Sequence, residues 1–385
     1  MPTHLTMPAS NFGALKLLLT ATILSSITYI GEASTSKKLL EFGWDEPDTG
    51  FMRAHIHELQ QSPFDGCVFH VEYQAGTNRG NFTWQCWETQ TFSETDLKNA
   101  FDDLRATHFG KFNQNFLRFN TTPAKLDWFD DYGAIIVNAK SAGQLARAGH
   151  CPGILFDIEQ YEGPLFNYRK QRDVETKSWE LYAVQARLRG REVMQAFQEG
   201  YPGLTVFLTF GYSLPWAQTS GGKKSLADCD YGLLAPFLDG MVEAAHGGSR
   251  IIDGYERAYG YKTAAEFATA RKAMKEELLP IVREPDRYQQ LFSLGFGIWM
   301  DRDWSKRGWN TDDFTKNYFS PEVFQTSVEE AFRNSDEYVW IYSETPRWWS
   351  AEGKPVKLPW AYDEALRSAK SQFRGSKSQT NSSLR

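Results

Sequence analysis

Gly153-Ile154-Leu155-Phe156-Asp157-Ile158-Glu159 is an apolar run of strand length that closes on two carboxylates at i and i+2. Alternate residues of a strand share a face, so Asp157 and Glu159 point the same way. Two carboxylates held side by side are unfavourable unless they pair, bind a metal or share a proton. As the fourth strand of a β/α barrel, this run would deliver both to the face where such barrels carry out chemistry. The rest of the chain then has to supply seven more strands.

Candidates for all seven are present. Residues 39–44 read as a first strand, followed by a helix over 49–60 capped by Asp48. Residues 66–72 read as the second strand. An insertion rich in Gly, Asn and Trp follows, then a helix opened by Ser93-Glu94-Thr95-Asp96. Residues 115–120 give a third strand, and a helix over 134–148 leads to the fourth. The second half repeats the rhythm: a charged helix over 175–199, a fifth strand over 204–210 and a sixth over 239–244. A helix over 263–279, a seventh strand over 294–301, a helix over 321–333 and an eighth strand over 338–344 complete it. Eight strands separated by helices in one unbroken series predict a single (β/α)8 TIM barrel. A doubly wound open sheet would carry a Gly-rich phosphate turn after its first strand, and none is there.

The 385 residues are 41% apolar, enough for one large core, and carry a net charge of -6. With no basic stripe, nucleic acid is excluded as a primary partner. At the front, Lys16 precedes the apolar run Leu17-Leu18-Leu19-Thr20-Ala21-Thr22-Ile23-Leu24, and Gly31-Glu32-Ala33 offers small residues at the cleavage-defining positions. Residues 1–33 therefore read as a secretory signal, with an uncleaved anchor as the alternative, and predict a secreted or periplasmic protein. No other segment is apolar enough for a bilayer. The barrel is expected over 37–365 and a disordered polar tail over 366–385. Cys67, Cys86, Cys151 and Cys229 match no zinc spacing, and Cys67 reads as a buried small hydrophobe.

The strand ends make a candidate site. They carry Trp44, His70 with Glu72, Asn120, Asp157 with Glu159, Glu243 with His246 three residues on, Trp299 with Asp301, and Tyr342 with Glu344. Aromatic residues make up 15% of the chain, and Trp84, Trp87, Trp304 and Trp309 in the loops are platforms or packing. Carboxylates beside aromatic faces suit cleavage of a glycosidic bond. One acid protonates the leaving oxygen while a second carboxylate attacks the sugar or activates water, and aromatic rings stack on sugar faces. Glu159 is the expected acid, kept protonated by the field of Asp157. Glu243 is the expected second carboxylate, with Asp301 next. Trp44, His70, Glu72, Asn120, His246, Trp299, Tyr342 and Glu344 are the expected substrate contacts, for a polysaccharide or oligosaccharide and without a cofactor.

The Asp157-Ile158-Glu159 ending resembles the closing Asp-x-Glu of chitinase-type glycoside hydrolases. That resemblance implies Glu159 as the acid and Asp157 as the residue that orients a substrate acetamido group. The chain departs from the pattern at Leu155 and Pro152, where the family has acidic residues, and at Val242-Glu243, where it has a Tyr-Asp pair. Residues 41–48 and 338–344 resemble exported glycosidase-like barrels more generally. Two other functions fit the same barrel. A metal-dependent hydrolase would draw on His70, Glu72, Asp157, Glu159, Glu243 and His246, although the sequence has no His-x-His on its first strand and no His-Glu-x-x-His. A non-catalytic barrel would bind carbohydrate without cleaving it.

Overall fold

The computed structural model describes residues 37–44, 46–303, 306, 308–349 and 358–374. The expected signal, Trp304 and residues 375–385 lie outside the described residues. The strands are β1 (Lys38–Glu41), β2 (Gly66–Phe69), β3 (Glu72–Ala75), β4 (Asn78–Asn81), β5 (Phe116–Asn120), β6 (Gly153–Asp157), β7 (Thr205–Leu208), β8 (Arg250–Asp253), β9 (Phe292–Leu294), β10 (Phe296–Trp299) and β11 (Tyr338–Tyr342). The helices are α1 (Thr49–Leu59), α2 (Lys98–Ala106), α3 (Gly133–Ala148), α4 (Trp179–Gly200), α5 (Ser213–Gln218), α6 (Leu234–Ala244), α7 (Ala264–Lys272), α8 (Pro285–Leu291), α9 (Pro321–Asn334) and α10 (Trp360–Arg374).

One sheet runs in the order β10-β11-β1-β2-β5-β6-β7-β8-β9, with every neighbouring pair parallel. Its two ends, β9 and β10, are one stretch of chain interrupted at Gly295. The sheet therefore closes on itself as an eight-stranded barrel, the fold expected. Parallel strands with helical crossovers are covered on both faces, which is why β2, β5, β6 and β7 are buried at every residue. β3 and β4 form a separate antiparallel hairpin directly after β2. Asp48 caps α1 as read from sequence, accepting the Phe51 N–H at 2.7 Å. All four cysteines are buried. No helix among the described residues is long and apolar enough to cross a membrane.

Two expectations fail. Residues 239–244, read as the sixth strand, are the end of α6. A continuous apolar run does not separate a buried strand from a buried helix. α6 is buried along most of its length and lies tight against α4. A Cβ on Gly190 would fall 1.9 Å from the Phe237 carbonyl, and one on Gly240 would fall 1.9 Å from that of Arg187. The sixth barrel strand is β8 instead. It follows a turn through Gly247 and Gly248 at φ 61° and 85°, a conformation glycine adopts without penalty. The second failure is the tail: residues 366–374 are helical and belong to α10. Leu366 and Ala369 are buried there, and Lys370 donates to the Pro63 carbonyl at 2.5 Å.

The barrel interior is filled from below. Phe116, Phe207 and Tyr338 meet edge to face at 5.4–5.7 Å, a favoured aromatic geometry. Above them Trp340 crosses the barrel, and its indole N–H donates to the Gly254 carbonyl at 2.8 Å. A Cβ on Gly297 would fall 2.5 Å from the same indole, so a side chain there would displace the ring. Overpacking of this kind costs about 1–3 kcal/mol. Gly297→Ala should lower stability by that amount in denaturant titration. Trp340→Phe in the same chain should recover part of the loss, a non-additivity of neighbours sharing one space.

Candidate active site

Above the Trp340 layer the barrel opens into a cavity of about 560 Å³. The strand period decides what enters it. Arg118 continues the inward face of β5 begun by Phe116, and Asp157 and Glu159 continue that of β6 begun by Leu155. Asp157 is 0% exposed. Arg118 Nε and Nη2 donate to its Oδ2 at 3.1 and 2.5 Å, and Nη1 donates to Glu46 Oε2 at 2.7 Å. The Tyr161 hydroxyl also donates to Asp157 Oδ2, at 3.1 Å. The guanidinium lies 4.8 Å from the Trp84 ring centroid and 5.0 Å from that of Phe42, within cation–π range. Asp157 Oδ1 accepts the Glu159 N–H at 3.1 Å and so sets the backbone that carries Glu159.

The second carboxylate in the cavity is Glu256, three residues past β8. Two backbone features place it. Gly254 leaves no room for a Cβ, which would meet the Leu208 carbonyl at 2.5 Å. Tyr255 sits at φ 42°, ψ 59°, left-handed and strained for a tyrosine. The Glu256 N–H then donates to the Thr209 carbonyl at 3.1 Å. Burial pushes the Glu256 carboxyl well above the usual range, and the negative fields of Glu159 and Asp157 push it further against the opposing charge of Arg118. Glu159 is raised too, first by burial and then by Asp157, with a Tyr161 hydrogen bond and Arg118 acting against the shift. A carboxyl raised by burial and by a neighbouring carboxylate holds its proton more firmly than one in water.

Aromatic rings line the same space. Tyr259 and Tyr342 stack at 5.3 Å and 22°, and Trp299 meets Tyr342 edge-on at 5.6 Å. Trp44 stands 60% exposed at the rim, and its indole donates to the Tyr342 hydroxyl at 3.0 Å. That hydroxyl donates in turn to Glu344 Oε1 at 3.0 Å.

Of the residues expected here, Trp44, His70, Glu159, Trp299, Tyr342 and Glu344 come together at the cavity. Others do not. Glu243 is on α6, where Arg191 holds it at 2.6 Å and Arg187 and Arg283 each stand 3.5 Å away. His246 follows α6 and meets Gln198 Oε1 at 2.7 Å. Both lie where α6 leads into the start of β8, the end of the barrel away from the cavity. Asp301 is buried and already occupied. It accepts the N–H groups of Glu344 and Thr345 and the Trp299 indole, tying the segment after β10 to the one after β11. Asn120 is fully buried and absent from the cavity wall. Glu72 leaves the barrel on the β3–β4 hairpin and pairs with Arg79. Asp157 is covered by Arg118 and Tyr161, so the acetamido-orienting role implied by the chitinase-type resemblance has no exposed group to perform it.

The six-residue metal shell is not assembled, because Glu243 and His246 are at the far end. His70 and Glu72 do have ligand-capable atoms within 4.8 Å of one another and of Asp48, but Asp48 Oδ1 caps α1 and Glu72 Oε2 binds Arg79. Among the loop tryptophans, Trp84 lines the cavity, while Trp87 is core and Trp309 packs on Tyr362. Sequence reasoning missed Arg118 and Glu256. The signal for Arg118 was a lone charge inside Phe116-Leu117-Arg118-Phe119. The signal for Glu256 was the short run Arg250-Ile251-Ile252-Asp253 between glycines.

No protein-family model matches the chain, and no curated protein matches it in sequence. Among solved structures it is similar to a GH5-4 broad-specificity endoglucanase from an uncultured bacterium. The identity is 13% over 85% of this chain and 86% of that one, with a TM-score of 0.46. A glucosidase from Croceicoccus marinus is 9% identical over 88% of this chain and 68% of that one, with a TM-score of 0.46. A variant of a glycoside hydrolase family 5 enzyme from Prevotella bryantii, solved with a xyloglucan tetradecasaccharide, is 11% identical over 85% and 88%, with a TM-score of 0.43. Similarities this slight assign neither activity nor residue roles to this chain.

The ion group at Arg118 sets an expectation for stability. Removing one partner of a buried ion pair strands the other, at about 3–5 kcal/mol. Arg118→Met should destabilise the fold by that order in denaturant titration. Asp157→Asn in the same chain should return part of the loss by removing one of the two stranded charges.

Proposed function

We propose that this protein is a glycoside hydrolase acting on a polysaccharide or oligosaccharide, with Glu256 as general acid and Glu159 as its partner carboxylate. One observation carries the reading: two half-buried carboxylates, from the ends of β6 and β8, share one aromatic cavity, both have raised proton affinity, and the field of Glu159 helps to raise that of Glu256. Glu256 keeps the proton in this reading, because burial and the fields of Glu159 and Asp157 push its carboxyl well above the usual range. In the reaction Glu256 gives its proton to the glycosidic oxygen as the C–O bond breaks. Glu159 attacks the anomeric carbon or takes a proton from attacking water. Arg118, bonded to Asp157 and Glu46, is a positioning residue that keeps the ground beneath Glu159 rigid. Trp44, Trp299, Tyr259 and Tyr342 supply stacking faces for sugar rings. Export directed by residues 1–33 belongs to this proposal, since a polymer substrate lies outside the cell.

A broad polysaccharide panel tests it by the appearance of new reducing ends. Glu256→Gln should lower kcat by about 10²–10⁴-fold on the polymer that wild type cleaves, yet retain turnover of an aryl glycoside whose leaving group needs no proton. Glu159→Gln should lose both activities. If folded wild type releases nothing across the panel, the glycosidase reading falls.

The same carboxyl predicts a pH effect. A folded-state pKa raised above the unfolded value stabilises the fold at low pH, and that contribution is lost as pH rises through the folded value. Glu256→Gln should therefore gain in Tm over wild type at pH 8 and show no gain near pH 4. Wild-type activity should fall on the alkaline side as Glu256 ionises.

A further inference from the structure

The cavity is more acidic than an acid and one partner carboxylate require. Glu46 and Glu344 line it together with Glu159 and Glu256, against the single guanidinium of Arg118. That guanidinium is held by Glu46 and by Asp157 beneath the cavity, so its charge is matched before any ligand arrives. Glu46 is the informative group. Its side chain is 10% exposed, and Oε2 takes Arg118 at 2.7 Å. Its Oε1 is buried without a hydrogen-bond partner. His70 Nδ1 stands 3.8 Å from it, too far for a hydrogen bond.

A carboxylate oxygen only accepts, and an unmet one in a buried place is unfavourable. The cavity holds a second unmet polar atom, a hydroxyl that can donate or accept. Thr209, 2% exposed, lines it with an Oγ1 that is buried and unpartnered. Around these acceptors stand the rings of Trp84, Tyr259, Trp299 and Tyr342, whose faces attract cations.

Resting on the glycosidase reading, the geometry points to a sugar with a free ammonium group, a hexosamine that is not acylated on nitrogen, as the unit this cavity takes. An ammonium brings three donors and a positive charge. It meets Glu46 Oε1 and the negative field together, and charge-assisted hydrogen bonds are roughly twice as strong as neutral ones. A neutral hydroxyl would meet the acceptor and leave the field unanswered. A uronate or sulfate would bring like charge into it. An N-acetyl group has no charge to offer, and Asp157 is closed to it by Arg118 and Tyr161.

Binding to the full-length protein tests this without knowledge of the linkage. Glucosamine and galactosamine are compared with glucose, galactose, N-acetylglucosamine and glucuronate, read by tryptophan fluorescence at low and high salt. The amines should bind about tenfold tighter or more than their neutral counterparts at low salt, with the advantage shrinking in high salt. Glu46→Gln should erase most of that advantage. Glu344→Gln, at the rim, should reduce it even if the Glu46 variant fails to fold. Equal or tighter binding of the neutral, acetylated or anionic sugars, or no binding by any of them, overturns the inference. Preference for the amines with no polymer of the panel cleaved would keep this inference and sink the glycosidase reading. Cleavage of neutral polymers with no preference for the amine would do the reverse.

Discussion

The mouth of this barrel is organised around one cation in an acidic place. Arg118 enters from β5, between the apolar Leu117 and Phe119, and gathers Asp157, Glu46 and the Tyr161 hydroxyl. Burying a charge is unfavourable unless it is paired and its hydrogen bonds are met. Asp157 meets that condition through Arg118, Tyr161 and the Glu159 N–H, and Glu46 through Arg118, which satisfies one of its two oxygens. The site is thus held by geometry rather than by net attraction. Its worth lies in fixing where Asp157 places the backbone of Glu159.

On that base two carboxylates are kept in a state neither would adopt in water. Burial raises both, Asp157 raises both further, and Glu159 adds to the rise at Glu256. The backbone adds its own strain at Tyr255, next to Glu256, in a left-handed conformation that non-glycine residues rarely take. Local strain and mutually repelling acids at one end of a well-packed barrel are the pattern of a site that lowers stability for function. The layer beneath makes this tolerable. Trp340, locked between Gly254 and Gly297, gives the cavity a rigid floor.

The acidic surplus separates this mouth from a generic sugar cleft. A neutral sugar needs stacking faces and a few hydrogen bonds, and the aromatic wall supplies the faces. Glu46 and Glu344 add negative charge that such a ligand would not use, and Glu46 keeps one oxygen buried and unmet. The Arg118 cluster and the unmet oxygen meet at Glu46, so the device that holds the site together also biases what can enter it.

Much of this was written in the chain. The β6 run with its two carboxylates, the eight-fold alternation and the inward parity of Trp299 and Tyr342 are local patterns, because strand period and helix caps act over a few residues. They determined the barrel and half of the mouth. What only the tertiary structure decided depends on contacts between distant segments. α6 reads like a strand because α4 covers it through Gly190 and Gly240, and no local signal records that contact. With the sixth strand misplaced by about ten residues, Glu243 stood in the position that belongs to Glu256. Asp301 looked catalytic until two loop N–H groups and an indole were seen to occupy it. A carboxylate's role depends on which groups close around it, and those groups come from strands far apart in sequence that are brought together by closure of the barrel.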